Sequence, residues 1–174
     1  DQIRSLQEQA LKADRLLSEA KQQFEAQNLT GAFRSASEAL EADPDNSRAS
    51  QLLSMIHGEQ ERRDNRRKLD EGLNRAKTLV LLQTYDEAIN VLSDLAASNP
   101  NEPAILELLE NAQREKAHQE RRQRRWREIS AARDALRDRQ YEPVISKLEA
   151  LESEFSGDPE ITQLLMFARE EFAT

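Results

Sequence analysis

The side chains of this 174-residue chain that could do chemistry are two histidines, two arginine-rich runs and a surplus of carboxylates; cysteine is absent. Without cysteine there is no disulfide, no thiol nucleophile and no cysteine-based metal site. His57 and His118 stand in separate polar stretches, and neither has the His-Glu-x-x-His spacing that puts metal ligands on one helix face. No glycine-rich phosphate loop or nucleophile elbow occurs. Adjacent acids such as Asp86-Glu87 and Glu170-Glu171 are what solvated helix faces and helix ends carry. The expectation is a chain that is not an enzyme, with no catalytic residue, no metal and no cofactor.

The arginine runs pose a sharper question. Arg62, Arg63, Arg66, Arg67 and Lys68 form the first; Arg121, Arg122, Arg124, Arg125 and Arg127, beside Trp126, form the second. An arginine-rich helix with an aromatic has the groups that bind RNA or phosphate. The same residues also suit a solvated helix neutralised by nearby Glu, or one docked on an acidic protein. The formal net charge of −8 weighs against nucleic acid. That charge is uneven: residues 62–68 net +4 and residues 113–133 net +5, set between acidic stretches. Trp126 has two readings, packing onto Ile129 three residues on, or an outward position of the kind enriched at binding hot spots. Lys21, Lys77 and Arg133 form a further set, placing a cation at every step of 56 residues. Such a ladder could line a groove for an acidic peptide or a C-terminal carboxylate; otherwise it is one basic residue per exposed helix face.

That step of 56 governs the elements that must position these groups. Leu17, Leu73 and Ile129 keep it, as do Ala20, Ala76 and Ala132, and Leu29, Tyr85 and Tyr141. Pro44 and Pro100 keep it too, while Pro159 comes three residues late. A fixed period of this length marks a repeat architecture. Ala, Leu, Glu, Gln and Arg are abundant, all good helix formers, and four Gly and five Pro leave little material for hairpins. The fold class is therefore all-α.

Thr84 with Glu87 reads as a capping box at a helix start. After it, Ala88, Ile89, Leu92, Leu95 and Ala96 recur at helical spacing; before it, Leu69, Leu73, Ala76, Leu79 and Val80 trace another stripe. A short turn near Gln83 joins the two as a helical hairpin. Asn101 is placed to cap the next helix, with Pro103 in its first turn. The first copy repeats the plan around Asn28-Leu29-Thr30. The third turns at Gln140-Tyr141, breaks at Gly157-Asp158-Pro159 with Asp158 as cap, and closes on Ile161, Leu164, Leu165, Ala168 and Phe172. Between copies, residues 57–68 and 113–125 lack an aliphatic face but are rich in helix formers, so both read as polar continuations of helix.

These hairpins resemble the tetratricopeptide repeat, two antiparallel helices in about 34 residues with small side chains where they cross and a Pro just beyond. Ala20 with Ala32 and Ala76 with Ala88 fall at the small-residue positions, and Ala132 matches in the third copy, where Val144 replaces the second Ala. The stretch Gln83-Thr84-Tyr85-Asp86-Glu87-Ala88-Ile89 is similar to the family's Gly-x-Tyr-x-Glu-Ala-Ile turn, with Gln for Gly. The step departs from the family by about 22 residues, about six helical turns or roughly 33 Å. A helix lengthened from near Ser47 to Leu82, and again from near Ala104 to Asp138, accounts for it. In general pattern the chain is also similar to the helical regions that accompany kinase domains in some bacterial serine/threonine kinases.

The resemblance implies three modules at 1–58, 69–112 and 126–174, joined by polar basic connectors at 59–68 and 113–125. It further implies a non-catalytic protein-interaction or spacer scaffold that binds a protein or peptide. The alternative is an RNA- or phosphate-binding helical adaptor using the arginine runs. Acidic and basic stretches on one chain also allow a homodimer. The start Asp1-Gln2-Ile3-Arg4 has no initiator Met, no basic n-region and no apolar h-region. A region of a larger bacterial signalling protein, cytoplasmic and with no membrane span, is the corresponding expectation.

Overall fold

The computed structural model describes residues 2–174, and among these there are seven helices and no strand. They are α1 (Gln2–Glu25), α2 (Leu29–Ala42), α3 (Ser47–Leu81), α4 (Tyr85–Ser98), α5 (Pro103–Arg137), α6 (Tyr141–Glu154) and α7 (Pro159–Ala173). Helix ends recur with the sequence step. α2, α4 and α6 begin at 29, 85 and 141; α1, α3 and α5 end at 25, 81 and 137; α3, α5 and α7 begin at 47, 103 and 159. The polar stretches 57–68 and 113–125 are helix throughout, inside α3 and α5.

The turns show why the step is kept. Gln27, Gln83 and Arg139 all take a left-handed backbone, with φ of 64°, 60° and 61°. Behind each, an amide reaches back five residues: Asn28 to Gln23 at 2.8 Å, Thr84 to Leu79 at 3.0 Å, and Gln140 to Ala135 at 2.9 Å. This is the Schellman closure, which satisfies carbonyls that a helix end leaves without partners. It also removes the expected capping box. Thr84 stands at the N-cap of α4, but the turn folds it under the end of α3, where its hydroxyl donates to the Leu79 carbonyl at 3.0 Å.

Other starts are capped by side chains. Asn28 accepts from the Gly31 amide at 3.1 Å, and Asp158 accepts from Glu160 at 3.0 Å and Ile161 at 3.3 Å. Asn101, expected as the cap of α5, is not; Glu102 holds that place ahead of Pro103, whose fixed φ opens the helix. Pro159 is likewise no late counterpart of Pro100. It opens α7 as Pro103 opens α5, where a missing amide has no helical partner to lose.

The chain packs as two compact units, residues 1–74 and 75–174. In the first, α1 and α2 enclose Leu17, Ala20, Ala32, Ala36 and Ala39, and the start of α3 adds Ala49, Leu52 and Ile56. In the second, α4 packs on α5, with Tyr85, Ala88, Leu92, Ile105 and Ala112 buried. Farther along α5, Ile129, Ala132 and Leu136 join Val144, Leu148 and Leu151 of α6 and Ile161, Leu165 and Ala168 of α7. Small side chains at Ala20, Ala32 and Ala132 let helix backbones approach closely. Phe172, expected in the last stripe, is exposed because that core ends at Ala168. No helix among the described residues is long and apolar enough to cross a membrane.

Candidate interaction surface

The first arginine run lies on the solvated face of α3 and pairs along its own helix. Arg62 and Arg63 meet Glu59 at 2.8 and 3.4 Å, Arg66 meets Asp70 at 3.5 Å, and Arg67 meets Asp64 at 3.0 Å and Glu71 at 3.9 Å. These are neighbours three or four residues apart, the spacing that brings side chains together on a helix. The hydrogen bond from Arg62, helped by Arg63, holds the Glu59 carboxyl below its ordinary value. Among the described residues, only Arg63 of this run also reaches beyond α3, bonding the carbonyl and side chain of Gln27 at the α1–α2 turn.

The second run behaves otherwise. Arg121 donates to the Glu154 carbonyl at 3.0 Å and lies 5.1 Å from the centre of the Phe155 ring, a cation–π contact. Arg124 meets the Glu154 carboxylate at 3.0 Å. Arg125 bonds both oxygens of Asp158 and meets Glu160 at 2.8 Å, and Arg133 bonds the other oxygen of Glu160. Four arginines of α5 thus meet Glu154 at the end of α6 and Asp158 and Glu160 at the start of α7. Asp158 serves twice, capping α7 and receiving Arg125. Its carboxyl is held below the usual range, first by the Arg125 hydrogen bond, which outweighs desolvation. Arg125 is pushed up in turn by Asp158 and then Glu160.

The remaining candidates scatter. Arg122 and Arg127 have no hydrogen-bond or ion-pair partner among the described residues. Trp126 is 70% exposed, so it does not join the core with Ile129. Lys21 and Lys77 are exposed; Arg133, their counterpart, is tied to Glu160. Lys77 borders a shallow cleft of about 320 Å³ with Ala104, Glu107, Leu108 and Asn111. A more polar cleft, about 340 Å³, lies where Lys116 of α5 reaches Asp86 at the start of α4, at 2.6 Å. The hydrogen bond to Asp86 raises the Lys116 ammonium above its ordinary value. His57 packs its ring edge-on to Phe33, with centroids 5.5 Å apart. Among the described residues, no three His, Asp or Glu side chains are grouped to hold a metal.

Sequence reasoning named the clamp's cations but missed Glu154, Asp158 and Glu160 as their partners. A signal for this was present in the repeat register. Arg125 stands 56 residues after Leu69 and 112 after Ala13, both buried, so a charge there must meet a partner. Chemically the surface offers charge and apolar contact. No protein-family model, curated protein or solved structure matches the chain.

Proposed function

We propose that this chain is a helical-repeat scaffold of the tetratricopeptide kind, built to hold a protein or peptide partner rather than to catalyse. The observation that carries the reading is the recurrence of helix ends every 56 residues, with Ala20, Ala32, Ala76, Ala88 and Ala132 buried at the positions where such hairpins cross. A helical repeat of this kind carries the same helix face in each copy, which suits extended binding rather than a single pocket. The clefts agree with that use, being shallow and lined mainly by polar or charged residues.

Within the unit of residues 75–174, the binding face in this reading includes Lys77, a ladder cation with no carboxylate partner among the described residues; Lys21 offers the same charge within its own unit. Arg133 is already engaged, and so are Arg121, Arg124 and Arg125, which leaves little of the second run for phosphate. Titration of a fluorescent acidic peptide with a free C-terminal carboxylate tests the reading. Lys77→Glu should weaken binding at least tenfold; unchanged affinity would sink the groove.

A further inference from the structure

The clamp sorts the second arginine run into engaged and free members, and the free ones lie beside the most exposed aromatic of the chain. Arg122 precedes Trp126 by four residues, so the two share one face of α5. Arg127 follows directly, also without a partner among the described residues. An indole that is 70% exposed next to an unpaired guanidinium calls for a partner that is both apolar and acidic.

α7 has the inverse pattern. Met166, Phe167 and Phe172 are exposed on it, at 56%, 49% and 57%. Glu170 and Glu171 follow Phe167 by three and four residues, placing an aromatic and two carboxylates on one face. Neither carboxylate has a partner among the described residues, because the only cation of α7, Arg169, is drawn to Glu149 at 2.7 Å. Both faces belong to the unit of residues 75–174.

We propose that the partner of the Trp126 face is a second copy of this chain, docked through its Phe167 face. In an antiparallel crossing of α5 on the partner's α7, the four-residue spacing Arg122–Trp126 matches the three- and four-residue spacing from Phe167 to Glu170 and Glu171. Aromatic then meets aromatic while guanidinium meets carboxylate. Two-fold symmetry makes the contact twice, since each chain carries both faces. The charges fix the register and deter wrong pairings, and the aromatics supply the buried area. The inference goes beyond the scaffold reading and does not rest on it: a monomer would overturn the dimer and leave the repeat's peptide binding to its own test.

Sedimentation equilibrium at low salt tests it, with emission from Trp126, the only tryptophan, as a second readout. A dimer that half-dissociates at about 10 µM is expected, the strength of a small, transient interface. Association should shift the emission to the blue, and raising salt to about 0.5 M should weaken it at least tenfold. Arg122→Glu alone should abolish the dimer, as should Glu170→Arg with Glu171→Arg. An equimolar mixture of the two variants restores both contacts and should bind within threefold of the unmodified chain. The substituted side chains have no hydrogen-bond or ion-pair partner among the described residues, so circular dichroism should not change. A chain monomeric up to about 500 µM, a dimer indifferent to either variant, or a mixture that fails to recover would overturn the proposal.

Discussion

Along residues 62–68 the ion pairs run up and down one helix, to Glu59, Asp64, Asp70 and Glu71, and nearly all are solvated. Along residues 121–133 they run to the end of α6 and the start of α7, 27 to 35 residues away in sequence. The two runs have much the same composition. What differs is the register of the cations, Arg121 and Arg125 standing 56 residues after Asn65 and Leu69, and the residues brought to face them. Where the third copy has Glu154, Asp158 and Glu160, the second has Ser98, Glu102 and Ala104, each 56 residues earlier. An arginine run is thus a solvated surface or a structural clamp according to its register in the repeat and the carboxylates the fold brings to it. Short-range pairs of the first kind contribute little, whereas a bidentate, half-buried pair that also caps a helix contributes more.

Substitutions in the two regions put this contrast to the test. The largest effect belongs to the core beneath the clamp: Leu148 is fully buried, and Leu148→Ala should cost about 2–5 kcal/mol in urea unfolding. Next comes the clamp. Arg125→Gln takes from Asp158 its cation and from Glu160 one of two, and should cost about 1–2 kcal/mol; water still reaches the guanidinium, 34% exposed, and keeps the figure modest. A loss below about 0.3 kcal/mol would reduce the clamp to surface decoration.

Acid sensitivity follows from the same pair. Asp158 gives up its proton more readily in the native chain than in the unfolded one. The pairing therefore stabilises fully above the unfolded value, about 3.9, and is lost as pH falls through the lower native value. Between about pH 5 and pH 2, stability should fall more steeply in the unmodified chain than in Arg125→Gln. Parallel curves would mean that Asp158 does not depend on Arg125.

How much of this was legible in sequence depended on range. The long helices, expected over about Ser47–Leu82 and Ala104–Asp138, are observed at Ser47–Leu81 and Pro103–Arg137. Their ends depend on Pro, Asn and the apolar period, all of which act locally. The Asp158 cap was legible for the same reason. Thr84 was misread because its hydroxyl had two local acceptor and donor choices, and the left-handed turn at Gln83 decided between them. Phe172 kept the helical period but had no facing helix, and periodicity alone does not supply one. The clamp was hidden because its partners lie 27 to 35 residues from the arginines, beyond the reach of helical spacing.

The turns give a smaller prediction. Gln83 takes a left-handed backbone that favours glycine, so Gln83→Gly should stabilise by up to about 1 kcal/mol. A loss would show that the Gln83 side chain contributes more than its backbone strain. The smallest effect is expected in the first run, where Arg66→Gln should stay within about 0.5 kcal/mol of the unmodified chain, since its partner Asp70 is open to solvent.

A pair of double-mutant cycles addresses the contrast most directly, because each isolates one ion pair from the other effects of substitution. One cycle joins Arg125→Gln with Asp158→Asn, which keeps an oxygen to cap α7; the other joins Arg66→Gln with Asp70→Asn. The predicted coupling is about 1 kcal/mol for Arg125–Asp158 and under about 0.3 kcal/mol for Arg66–Asp70. Equal couplings, or a larger one in the first run, would contradict the division of the two runs into clamp and solvated face.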